Sequence, residues 1–130
     1  MCGTSVTIPA GLRVELSRAK VKPGMSEEAD RWMRMLNDRA EECVATLDRE
    51  RVAIEIIFRL HEDGADYLYW LTVAGRDGEG LDLSLPIDRD HNEIGQRVKE
   101  PGWVEAEPQL LLLPAPVRDA VMQWALRSDG

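Results

Sequence analysis

Thiols are scarce in this chain. Its two cysteines, Cys2 and Cys43, are too few and too far apart for a disulfide framework or a zinc knuckle. Two unpaired thiols in a reducing cytoplasm are the expectation. Histidine is equally rare. His61 and His91 do not share the i, i+4 spacing of a helical zinc pair, so no metal and no cofactor is expected. Positive charge is in deficit, with 16 basic against 24 acidic residues and a net charge of −8. Such a surface repels phosphate backbones and anionic bilayers, which excludes nucleic acid and membranes as expected partners. Long apolar segments are missing too. The run Leu110 to Leu113 stops at Pro114, whereas a bilayer span needs about 20 residues. The opening Met1-Cys2-Gly3-Thr4-Ser5 carries neither the basic nor the apolar region of a signal peptide, and a cytoplasmic protein is expected.

What is present suits one globular domain: 130 residues, 44% hydrophobic and 31% charged. Residues 1–10 show no period and read as a tail, leaving a single domain over 11–130. From Leu12 to Val21 apolar and polar residues alternate, as in a strand with one greasier face. Lys22-Pro23-Gly24 supplies a turn, and Ser26 is placed to cap a helix whose first turn holds Glu27 and Glu28. Ala29, Trp32, Met33, Leu36, Ala40, Cys43, Val44 and Leu47 recur at steps of three and four, which predicts one long amphipathic helix. Val52–Leu60 and Tyr67–Ala74 read as a hairpin around a 61–66 loop. That loop length pairs Phe58 with Tyr69, Ile56 with Leu71 and Ile54 with Val73 on one face. The opposite face then pairs Arg59 with Leu68, Ile57 with Trp70 and Glu55 with Thr72. A short helix follows, with Ile87, His91, Ile94 and Val98 on one side and Asp88 as its cap. Leu110–Leu113 reads as a fourth strand. Pro116 opens a last helix with Val117, Ala120, Val121 and Trp124 inward.

The order is β-α-β-β-α-β plus a terminal helix, the ferredoxin-like α+β arrangement with a four-stranded antiparallel sheet. With the helices assigned to the Phe58–Tyr69 face, the second face displays Glu15, Ser17, Ala53, Glu55, Ile57, Arg59, Leu68, Trp70 and Thr72, with one parity of the leucine run. Its patch of Ile57, Leu68, Trp70 and two leucines is too apolar to leave in water. A second copy of the chain across a two-fold axis would cover it, giving a homodimer of the dimeric α+β barrel type. The competing monomeric answer is the C-terminal helix folded over the patch.

Several blocks also resemble a known family. They are Glu15-Leu-Ser-Arg-Ala-Lys-Val-Lys-Pro-Gly24, Ala29-Asp-Arg-Trp-Met33 with Leu36-Asn37, Thr46-Leu-Asp-Arg-Glu50, Ile54-Glu-Ile-Ile-Phe-Arg59 and Tyr67-Leu-Tyr-Trp70. In this order they resemble DUF6176, a family of small bacterial proteins of unknown function, from about Leu12 to Val121. The resemblance implies kinship with dimeric α+β barrel proteins, which include cofactor-free monooxygenases, mutarotases and small-molecule binders. It also implies an acidic-then-histidine segment, which Asp88-Arg-Asp-His91 fits, whereas Asn92-Glu-Ile-Gly95 stands where members often carry aromatics.

His91 is the sharpest candidate for chemistry. On an inward helix face, beside Trp32 and Tyr69, its imidazole would serve as a general base in a small apolar pocket, with Asp88 nearby. The plainer alternative is a structural histidine hydrogen-bonded to Asp88. Glu55, flanked by apolar neighbours, is either an acid with a raised pKa or one half of an ion pair with Arg59, Arg13 or a partner-chain cation. Asp88-x-Asp90-x-Asn92 starts like a calcium loop, but Glu93 replaces its sixth-position glycine and Lys99 its last glutamate. Two functions stay open: a small-molecule binder or cofactor-free enzyme with a cavity between helices and sheet, and a noncatalytic homodimeric accessory protein with a filled core.

Overall fold

Apolar–polar alternation forms β1 (Leu12–Lys20), which lies at the centre of the sheet. A computed structural model describes residues 7–127. They form an α+β fold with one open, antiparallel four-stranded sheet in the order β2-β3-β1-β4, together with four helices. Residues 1–6, Cys2 among them, lie outside the described part. Ile8 of the expected tail packs into the apolar layer beside Leu12 and Val73, and Pro9 is buried. No described helix is long and apolar enough to cross a membrane.

The expected long helix is two helices, α1 (Ser26–Asp38) and α2 (Ala40–Glu50), broken at Arg39. A stripe at three- and four-residue steps runs through such a break unchanged. The weak helix formers Asn37 and Asp38 stand just before it, and the Arg39 guanidinium bonds Glu42 and Asp90. Ser26 is not the cap; Met25 holds that position without a side-chain bond, and the Ser26 hydroxyl donates to Asp66 at 2.6 Å.

β2 (Val52–Glu62) and β3 (Ala65–Gly75) pair in the expected register, from Ile54↔Val73 to Arg59↔Leu68, with a bulge between Val52 and Ile54. The loop is tighter than expected. Pairing continues to Glu62↔Ala65, and only Asp63 and Gly64, at φ 52° and 76°, make the turn. Positive φ at both central residues is what a two-residue hairpin of the favoured hand requires.

α3 (Pro86–Val98) has Leu85 at its cap position, and Asp88 instead turns back to a loop. β4 is Val104–Ala106, paired with Leu16, Ser17 and Arg18, and not Leu110–Leu113. The leucine run lies between prolines, which remove ladder donors. Leu111 turns inward while Leu110 and Leu112 are exposed. α4 (Ala115–Leu126) buries Val121 and Ala125, whereas Val117 and Ala120 of its expected inner face are exposed. Trp124 remains partly exposed and donates its indole N–H to the Val52 carbonyl.

The largest correction concerns the two faces of the sheet. α1 and α3 cover the face of Ala19, Ile57, Leu68 and Trp70, with Leu68 and Trp32 fully buried between them. Ile57, Leu68 and Trp70 therefore belong to the protomer's own core, and Glu55 and Arg59, at alternate positions of β2, face the same layer. α4 packs on the opposite face over Leu12, Val73, Ile54 and Leu71. Two close approaches set these layers. A Cβ on Gly75 would lie 2.0 Å from the Ala125 carbonyl oxygen, and one on Gly95 would lie 3.1 Å from the Trp32 ring. Glycine thus lets α4 reach the end of β3 and lets α3 rest on the indole.

Candidate functional site

The sheet face beneath the helices is apolar at one end and polar at the other. Alternate strand positions and cross-strand pairing put Glu15 and Ser17 of β1, Thr72 of β3, Glu55 of β2 and Glu105 of β4 on the same side as Trp70. Ser17 donates its hydroxyl to the Glu105 carboxylate at 2.8 Å. Polar side chains at interlayer positions do not close a core, and two cavities remain there. One, of about 430 Å³, lies between this floor and α3, walled by Trp32, Trp70 and Trp103. The other, of about 500 Å³, lies under α1 and α2 and is lined by Met33, Leu36, Glu50, Glu55, Ile57 and Asp88. His91 and Leu81 border both.

His91 is held by Trp32. The indole Nε1–H donates to His91 Nδ1 at 2.9 Å. An indole nitrogen only donates, so Nδ1 must be the bare, accepting nitrogen and the ring proton sits on Nε2. Burial lowers the imidazole pKa below its ordinary 6.5, against a weaker opposite pull from Asp88. The ring is therefore neutral at pH 7, and what it offers is an N–H donor at Nε2. The expected general base has its accepting nitrogen already occupied. The rings also pack, with Trp32 and Trp70 centroids each within 6.2 Å of the imidazole.

Asp88 is buried but does not reach the imidazole through any hydrogen bond of the described residues. It accepts the backbone N–H of Asp82 at 2.8 Å, and its carboxylate lies 3.8 Å from the Arg49 guanidinium. Arg49 also bonds Glu79 at 2.9 Å and the Gly80 carbonyl. Together they strap the loop between β3 and α3 down, so that Leu81 borders both cavities. Tyr69 is not part of the site; it pairs with Arg18 and Phe58 on the far face. Arg59 bonds Asp30 and Asp66 within the protomer, and with Ser26 and His61 it holds the Asp66 carboxyl far below the usual range.

Glu55 is solvent-accessible along the cavity wall, yet its carboxyl is hemmed in by protein. Desolvation raises its pKa, a hydrogen bond from Trp70 opposes the rise, and Asp88 adds to it. Burial likewise raises Glu50, against a bond from Thr46. Sequence reasoning found Trp32, His91 and Asp88, and put Glu15, Ser17 and Thr72 on the Trp70 face without assigning them to the site; it missed Glu50, Leu81, Trp103 and Glu105. The signal was available in β1, where Arg13, Glu15 and Ser17 alternate opposite the greasier face and mark a polar lining. Among the described residues no group of three or more His, Cys, Asp or Glu is arranged to hold a metal ion.

A raised carboxyl pKa means that the folded state resists ionisation, so the associated stability is present at low pH and lost as pH rises through the folded value. Glu55→Gln is expected to raise the melting temperature at neutral pH by about 2 °C. The gap should close below the ordinary glutamate value of 4.5. Calorimetry across pH checks this, and a variant less stable than wild type at neutral pH would contradict it.

No curated protein matches the chain. A family model does, over residues 12–119, from the first residue of β1 into α4. The matched range takes in Glu15, Ser17 and Thr72 of the polar floor together with Trp32 and Trp70, and the chain belongs to DUF6176, a family of unknown function.

Proposed function

We propose that the cavities flanking His91 bind a small organic molecule, within a cytoplasmic homodimer of ferredoxin-like protomers. The observation that carries the binding reading is the neutral imidazole at the wall shared by two cavities of about 430 and 500 Å³. Both volumes fall in the usual range for ligand sites. A donor at Nε2, held by Trp32 against rotation, suits a ligand oxygen or other acceptor, while the carboxylates around it suit donors. A filled core would have favoured a noncatalytic accessory protein, and the open interlayer space counts against it. The strand order β2-β3-β1-β4 supports the ferredoxin-like assignment, and the free Cys43 suits a reducing compartment.

A thermal-shift screen of a chemically diverse fragment set tests the binding reading. Hits on the wild-type protein should be lost in His91→Ala, which itself should lose about 1–3 kcal/mol of stability because the buried Trp32 N–H is left without an acceptor. Hits that persist in the variant, or a blank screen of the wild type, would overturn it.

The dimer reading moves to the outer face. α4 covers one half of that face, while Ile56, Phe58 and Leu60 remain 40%, 51% and 43% exposed beside Tyr67 and Tyr69. A contiguous apolar patch on a sheet suits a self-complementary two-fold contact. Sedimentation at micromolar concentration should find twice the 14.7 kDa protomer mass for wild type and a monomer for Phe58→Asp. A monomeric wild type would contradict the reading.

A further inference from the structure

The charge and ring content of the cavity walls narrow the ligand class, an inference that rests on the small-molecule reading above. Five carboxylates line the two cavities: Glu15 and Glu105 in the first, and Glu50, Glu55 and Asp88 in the second. Glu15 pairs with Arg13, and Asp88 lies near Arg49. Glu50, Glu55 and Glu105 meet no cation within 4.0 Å among the described residues. The basic lining residues are Arg59 and Lys99. Arg59 is already committed to Asp30 and Asp66, and the neutral His91 adds no charge. Together the two walls hold five carboxylates against two cations, and in the first cavity Glu105 is the carboxylate without a cation and Lys99 the one lining cation, in a protein whose net charge of −8 draws cations towards it.

The aromatic walls point the same way. Trp70 and Trp103 meet edge to face at 5.3 Å. The Trp103 face already carries an ammonium, with Lys99 Nζ 4.6 Å from the ring centroid. An indole face attracts a cation through its quadrupole, more strongly where water is partly excluded. Glu105 stands in the same cavity, its two oxygens steadied by the Ser17 hydroxyl.

We infer that the ligand is an organic cation, an ammonium group on an aromatic or apolar body, seated in the first cavity with its charge against Glu105 and its body on Trp70 and Trp103. Lys99 then acts as the protein's own competitor for the same ring face.

Three probes that share one ring and one chain but differ in charge test this: 2-phenylethylammonium, 2-phenylethanol and phenylacetate. Binding is read by tryptophan fluorescence and calorimetry at low salt. The ammonium should bind about tenfold more tightly than the alcohol, and phenylacetate more weakly than either. Glu105→Gln, on the exposed edge strand, should weaken the ammonium about tenfold and leave the alcohol within about twofold. Lys99→Met should tighten the ammonium. Equal or tighter binding of the alcohol or of phenylacetate would overturn the inference while leaving the small-molecule reading intact. Failure of all three probes would also overturn it, whereas the underlying reading falls only with its own fragment screen, by a blank on the wild type or by hits that persist in His91→Ala.

Discussion

One hydrogen bond organises the interior of this protein: the donation from the Trp32 indole to His91 Nδ1. It joins α1 to α3 across the layer above the sheet, and it decides which imidazole nitrogen carries the proton. Its geometry depends on Gly95, whose missing side chain lets α3 lie on the Trp32 ring. Trp70 in turn favours the ionised form of Glu55 against the desolvation that raises its pKa. Trp32, which fills the core, therefore also positions the imidazole at the cavity walls. Packing and site construction are done by the same side chains.

The face of the sheet that the helices cover is the less apolar of the two. Glu15, Ser17, Thr72, Glu55 and Glu105 occupy positions that a filled core would give to aliphatic residues. The space above them stays open because carboxylates and hydroxyls keep partners or water in preference to apolar contacts. Burial beneath helices then shifts the groups that remain, upward for the Glu55 and Glu50 carboxyls and downward for the His91 imidazole. All three shifts have desolvation as their leading cause. The strap formed by Arg49 and Asp88 on the β3–α3 loop finishes the enclosure by holding Leu81 against both cavities.

Much of this was legible in the residues. The β2–β3 register follows from hairpin alternation, and six cross-strand pairs from Ile54↔Val73 to Arg59↔Leu68 stand where alternation puts them. The inward position of His91 beside Trp32 follows from helical spacing. The assignment of faces does not follow from hydrophobicity, which on its own marks the greasier side as the one that the interlayer helices cover. In this protein the greasier face, with Ile54, Ile56, Phe58 and Leu71, is shared between α4 and open surface. Tyr69 was drawn into the site, and Leu68, Trp70 and Ile57 out of it, by that single inversion. The fourth strand was misplaced for a related reason. Four leucines signal burial strongly, yet flanking prolines deny them a ladder, while the short Val104–Ala106 pairs with β1 through its backbone despite a charged residue at its centre.

The protonation of one ring, His91, decides what the cavity walls can offer a ligand. Long-range proton–nitrogen NMR of 15N-histidine-labelled protein at neutral pH reads it directly. The neutral form protonated at Nε2, with a bare Nδ1 and a downfield Trp32 indole proton, is the predicted spectrum for His91. A proton on Nδ1, or a doubly protonated ring, would contradict the donation from Trp32 and the Nε2 donor on which the proposed binding rests.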